Sequence, residues 1–210
     1  MLLIVVSLIG TASVLALAVP ILIVYNALVL RRSRDASAGA RVGYVASSVA
    51  FCVVLAAVLN VTGIPDVYSI RMEPDVNLVP FIDIFTSTRQ YVLNVLLFVP
   101  VGFLLPVLWE RFRKLRTVAL AGFLLSLAIE VAQMFSFRCT DVDDLLMNTA
   151  GAMLGYGAFA LLRRLAPRLA LGGDALRRWR WEPTLYFATV WLGALFVRPY
   201  VYDWLWGAVM

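Results

Sequence analysis

The sequence predicts an all-α, polytopic helical membrane protein with about six transmembrane helices and no soluble domain. Three observations carry this. Of the 210 residues, 62% are hydrophobic and only 15% are charged, and the mean hydropathy is +0.89. A water-soluble domain of this size needs more charge to cover its surface. The apolar residues come in runs near the ~20 that a helix needs to cross a ~30 Å hydrocarbon layer. They do not follow the ten-residue alternating pattern of a transmembrane barrel, the other architecture that satisfies its backbone in lipid.

The first run, Leu2 to Leu30, carries no charge. Pro20 within it predicts a kink, which membrane helices tolerate. No basic residue precedes the run, and it is about twice as long as the apolar core of a secretory signal, so it reads as a retained span. Arg31, Arg32 and Arg34 close it, and the small-residue linker Asp35 to Arg41 follows. The second run is Val42 to Val61. The loop after it, Thr62 to Gln90, holds Pro65, Pro74 and Pro80. Inside that loop, residues 77–85 are apolar but too short to span, and are expected to lie along the interface or dip into it.

The third run, Tyr91 to Trp109, contains Pro100 and leads into the basic loop Glu110 to Arg116. The fourth run is Thr117 to Phe137. A polar turn, Arg138 to Asp144, connects it to the fifth, Leu145 to Leu162. The basic segment Arg163 to Trp181 precedes the last run, which starts near Pro183. That run is read as one span of about 18 residues. Arg198-Pro199-Tyr200 is expected to end it before an interfacial tail carrying Trp204 and Trp206.

Charge predicts orientation. The loops after the first, third and fifth runs hold 14 of the 18 Lys and Arg residues. Positive charge is retained in the cytoplasm, so both termini are expected outside a bacterial plasma membrane. Asp66, Glu73, Asp75, Asp83, Asp141, Asp143, Asp144 and Asp203 fall on the opposite, outer side. The net charge of +5 is divided among membrane-flanking loops. It therefore points to membrane lipids as partners and not to nucleic acid.

The absence of histidine excludes Ser-His-Asp triads, Cys-His pairs and HExxH zinc sites. The two cysteines cannot build a four-thiolate cluster. Cys52 lies within an apolar run and Cys139 beside a polar turn, depths that preclude a disulfide. No cofactor is called for.

Polar residues inside spans are costly and need a partner or a task. Ser126, Glu130 and Gln133 are spaced to share one helix face, as are Asp144, Asn148, Gly151 and Gly155. The short turn between these runs makes them antiparallel neighbours, and the two glycines permit close helix approach. Asn94 falls at the same depth. The expectation is one outward-facing polar pocket at the ends of the third, fourth and fifth spans, capped by Arg138, Asp141, Asp143 and Asp144. In the structural alternative, Arg138 pairs with Glu130 or an aspartate and the amides pin the hairpin. A hairpin needs only one or two such pins, and this excess favours a site.

Four segments carry a family resemblance. Asn77-Leu78-Val79-Pro80-Phe81 resembles the opening motif of the VanZ-like membrane proteins, and residues 94–106, beginning at Asn94, resemble the second. Ser126 to Gln133 resembles the third, and Arg138 to Gly155 the fourth. The order and spacing of the motifs carry the resemblance. It divides the chain into residues 1–49 (first helix and start of the second), a core at 50–162, and residues 163–210 (basic segment and last helix).

The family is named for a protein that lowers bacterial sensitivity to teicoplanin. The resemblance therefore implies a plasma-membrane location and a cell-envelope role. Three readings follow. In the first, a candidate set of Asn77, Asn94, Ser126, Glu130, Gln133, Arg138, Asp141, Asp144 and Asn148 binds a lipid-linked cell-wall precursor, with Arg138 as a bidentate phosphate donor. In the second, a membrane enzyme uses Glu130 as general acid or base, and Asp141, Asp143 and Asp144 are candidate magnesium or calcium ligands. The third, a transporter, rests on Glu130 alone; no internal repeat supports it.

Overall fold

The computed structural model describes residues 2–71, 75–81, 88–136, 139–166, 176 and 179–209. Its helices are α1 (Leu2–Arg32), α2 (Ala38–Thr62), α3 (Thr88–Leu108), α4 (Leu115–Gln133), α5 (Val142–Leu165), α6 (Glu182–Leu192) and α7 (Arg198–Val209). Two three-residue strands, β1 (Asp75–Asn77) and β2 (Cys139–Asp141), pair in parallel, with Asn77 opposite Asp141. Among the described residues, six helical segments are long and apolar enough to cross a membrane. Many large apolar side chains point outward from them, among them Leu8, Ile23, Val42, Leu96, Leu154 and Leu161. In water such faces would aggregate; in lipid they are the expected surface.

Local chemistry sets the helix ends. Ser37 caps α2, its hydroxyl accepting from the Ala40 N–H at 3.2 Å. Gly63 ends the same helix in the left-handed region (φ 67°). Asp141 caps α5 by accepting from the Asp143 N–H at 2.9 Å. Asp143 and Asp144 then fall in the first turn of α5, where the helix dipole favours negative charge. Thus the polar turn of the sequence is partly strand and partly helix. Pro20, Pro100 and Pro106 are all carried within unbroken helical segments.

The last span differs from the sequence expectation. Arg198-Pro199 does not end it. The π-helical segment Gly193–Val197 joins α6 to α7 without a break, and Pro199 follows inside the continuing helix; the carbonyl of Leu195, four residues before the proline, accepts instead from the Val67 N–H at 3.1 Å. The candidate span accordingly runs Glu182–Gly207. Arg198, expected to flank a break, bridges elements. Its Nη2 lies 3.1 Å from Asp66 Oδ2 and donates to the Ile64 carbonyl at 2.9 Å.

Asp66 also accepts from the Tyr68 N–H and from the Ser69 hydroxyl and N–H. Partial burial opposes its ionisation. Bonds from Ser69 and Arg198, the Arg198 charge and the Tyr68 N–H outweigh that, and hold its carboxyl below the ordinary 3.8. A carboxyl lowered by folding stabilises the fold above its unfolded-state pKa, and this stabilisation disappears as the pH falls through the folded-state value. Hydrogen-exchange protection at residues 64–69, taken relative to the intrinsic rate at each pH, should therefore fall once the pH drops below about 3.8. Asp66→Asn should exchange faster at neutral pH and lose that acid dependence.

The core has two parts. In the first, α3 lies directly on α5, with α4 alongside. A Cβ at Gly102 would run into the Ala152 carbonyl, at Gly151 into that of Val95, and at Gly155 into that of Val99. Backbone meets backbone here, as small residues allow between membrane helices. In the second part, α1 packs on α2, α6, the π segment and α7. A chain of edge-on rings joins the two parts. Phe51 of α2 sits 5.1 Å from Trp109 after α3, and Trp109 sits 5.6 Å from Tyr186 of α6.

Candidate functional site

The acidic end of α3, α4 and α5 gathers residues from all four motifs. Glu130, 4% exposed near the end of α4, accepts from the Asp141 N–H at 3.0 Å. The Thr140 hydroxyl donates to the Glu130 carbonyl at 3.1 Å. Glu130 thereby holds β2 against the end of α4. Asp141 receives the Asn77 side-chain amide at 3.3 Å, and this bond continues the β1–β2 pairing at the side-chain level.

Asp143, 1% exposed, faces the loop after β1. Its two oxygens lie 3.0 and 2.9 Å from the Phe81 N–H, and the Tyr91 hydroxyl donates to it at 2.6 Å. Phe81 has φ 59°, a left-handed conformation that costs a bulky residue ~1–2 kcal/mol. The carboxylate at its N–H holds it there. Asp144 points to α3, where the Asn94 side-chain amide donates to it. Gln90, one turn earlier, donates to Asn94 Oδ1 at 3.0 Å. One turn deeper, Asn148 donates to the Ser126 hydroxyl at 2.9 Å and so ties α5 to α4.

The expected single pocket is therefore a layered cluster. Asn77, Asn94, Glu130, Asp141 and Asp144 come together, joined by Asp143, with Ser126 and Asn148 beneath. Gln133 departs from the expectation. It turns away from α5 and donates to the Thr62 carbonyl at 2.7 Å, capping the end of α2. Helical spacing placed it within a turn of Glu130 but did not reveal that α2 ends beside it. Arg138 lies outside the described residues, as does Asp83.

The aspartates point three ways: Asp141 to its own helix end and Asn77, Asp143 to the β1 loop, Asp144 to α3. Among the described residues, no three carboxylate or thiol groups converge as metal ligands. The rim of the cluster is amphipathic. Asn77, Asp141 and Asp144 are partly exposed, and beside them Leu78, Val79 and Phe81 are 72%, 56% and 45% exposed.

Residues 49–163, more than half the chain, match the VanZ/LLP1 family. The chain belongs to this family. Over 93 residues it is 36% identical to Protein VanZ of Enterococcus faecium, covering 42% of this chain and 55% of that protein. The chain thus spans about half the length of the curated relative it matches. No solved structure matches it. The VanZ/LLP1 match takes in the second half of α2 and all of α3 and α4, and ends within α5, so it contains the whole acidic-end cluster. It leaves out α1, α6 and α7.

Sequence reasoning missed a second polar cluster, at the basic end and mostly outside the VanZ/LLP1 match. Glu182, fully buried at the start of α6, lies 3.0 Å from the Tyr44 hydroxyl. Asn26 Oδ1 is 3.0 Å from the same hydroxyl and 3.2 Å from that of Tyr186. These residues come from α1, α2 and α6. Each looked like an ordinary flank of an apolar run, and only the packing of α1, α2 and α6 brings them into contact.

Proposed function

We propose that this VanZ/LLP1 protein acts at the bacterial cell envelope, modulating glycopeptide susceptibility. Its acidic-end cluster binds a lipid-linked wall component from the outer face of the plasma membrane, with both termini on that side. One observation carries the reading: all four family motifs meet at one end of the bundle, where partly exposed Asn77, Asp141 and Asp144 adjoin the apolar Leu78, Val79 and Phe81. An amphipathic rim suits a ligand with a polar headgroup on an apolar tail. In this reading the carboxylates hold the loop, buried Asn94 positions Asp144, partly exposed Asn77 offers a carboxamide, and Arg138, close to β2 in sequence, supplies the bidentate charge for a pyrophosphate.

The test uses the full chain. Binding of a polyprenyl-pyrophosphate-linked saccharide is measured on purified wild type and on Arg138→Ala. Teicoplanin susceptibility is measured in a deletion strain complemented with each. Loss of a charge-assisted bond should weaken binding about tenfold or more and return the strain to the deletion phenotype, with membrane levels unchanged. Wild-type binding and phenotype in Arg138→Ala would sink the reading.

A further inference from the structure

A groove of about 550 Å³ lies between α4 and α6 and opens at the end of the bundle away from the family cluster. Its volume is that of a small-ligand site. Leu120, Leu124 and Ala128 form its floor, a single stripe at four-residue spacing along α4; Phe187 and Trp191 of α6 form the facing wall. Leu120 and Leu124 are 58% and 52% exposed, so the floor is apolar and uncovered by protein. Thr117 and Arg111 line the mouth. From Thr117 to Ala128 the groove follows α4 for about 16 Å. That is about half of a ~30 Å hydrocarbon layer, the depth of one leaflet.

The mouth is basic. Arg111, Arg113, Lys114 and Arg116 lie in the connection between α3 and α4 and its first turn, with Glu110 as the one acid in that stretch. The Arg111 guanidinium is exposed, sits 5.0 Å over the Phe112 ring and donates to the Arg180 carbonyl at 3.2 Å. These contacts fix its position at the end of the apolar channel. Guanidinium carries five N–H donors, and the Arg180 carbonyl uses one, so a phosphate can still be held bidentately.

We propose that this groove binds an anionic glycerophospholipid of the leaflet at the basic end. Its headgroup phosphate meets Arg111, and one acyl chain runs along the Leu120–Leu124–Ala128 stripe. The depth of one leaflet selects an acyl chain as occupant, and the basic mouth selects an anionic headgroup over a zwitterionic one. The site is independent of the proposed function, since it shares no residue with the acidic-end cluster.

The full chain is purified from nanodiscs containing equal parts of phosphatidylglycerol and phosphatidylcholine, and retained lipid is read by native mass spectrometry. Wild type should retain phosphatidylglycerol in preference. Arg111→Gln, an exposed change, should lower that preference about fivefold. Ala128→Trp fills the inner end of the groove from an exposed position and should remove retention of both lipids. Equal retention of the two lipids by wild type overturns the proposal. So does unchanged retention in Arg111→Gln, or a protein dimer in place of lipid adducts.

Discussion

Gly155→Leu should abolish folded protein. Gly155 of α5 faces the Val99 carbonyl and the backbone of Gly102 and Phe103 on α3, so a side chain there meets main chain and no rotamer change relieves the collision. Overpacking a core against movable side chains costs ~1–3 kcal/mol. Parting two helices whose backbones touch costs more, and it also breaks the Asn94–Asp144 bond at their ends. Gly157, two residues on, has nothing within 4 Å of an added Cβ. Gly157→Leu is therefore the matched control on the same helix. Size-exclusion profiles of the detergent-extracted variants decide it: a monodisperse peak for Gly157→Leu and none for Gly155→Leu. A monodisperse Gly155→Leu would mean that α3 and α5 do not approach this closely.

Asp143→Ala should release the loop that carries the first family motif. The substitution leaves the Phe81 N–H and the Tyr91 hydroxyl without their carboxylate. Each hydrogen bond to a charged group is worth ~1.5–3 kcal/mol, giving a local loss of about 3–6 kcal/mol for the two. The left-handed backbone at Phe81 then relaxes, because Asp143 is the acceptor of its N–H. Hydrogen exchange over residues 76–81 should accelerate by orders of magnitude. The β2–α4 contact should persist, since Glu130 still accepts from the Asp141 N–H. Asp143→Asn should lie between the two, as its carbonyl still accepts from Phe81. Unchanged exchange at Phe81 in Asp143→Ala would show that the loop is held elsewhere.

These two predictions concern the same architecture. The glycines bring α3 and α5 into backbone contact, and that contact places Asn94 against Asp144 at the end of both helices. Glu130 and Asp143 then fasten strand and loop over that end. Three of the polar residues singled out in the sequence, Glu130, Asp143 and Gln133, thus act as fasteners between elements. Asn77 and Asp144, partly exposed, lie at the rim where a ligand can reach, and Asn94 is buried behind them, bonded to Asp144 and Gln90.

What the sequence determined by itself was everything that depends on spacing along one helix. The six long apolar segments follow from run length against bilayer thickness. The adjacency of α4 and α5 follows from the short turn between them. The shared face of Asp144, Asn148, Gly151 and Gly155 on α5 follows from helical period, whereas the bond from Asn148 to Ser126 needed α4 and α5 to pack. Tertiary structure alone decided what depends on separate segments meeting. The spacing of Gln133 does not say that α2 ends beside it. The apolar run 77–85 does not announce that Asp75–Asn77 will pair with Cys139–Asp141, because a three-residue strand has no periodicity of its own. Arg198-Pro199 looks like a terminator, but the helix continues through it, and the Leu195 carbonyl is met by the N–H of Val67 from a separate segment. Asn26, Tyr44 and Glu182 lie far apart in the chain, and only the packing of α1, α2 and α6 brings them together. The physical reason is the same each time. Hydrophobic period and charge bias act along a single helix, whereas a hydrogen bond between elements exists only once the helices have packed.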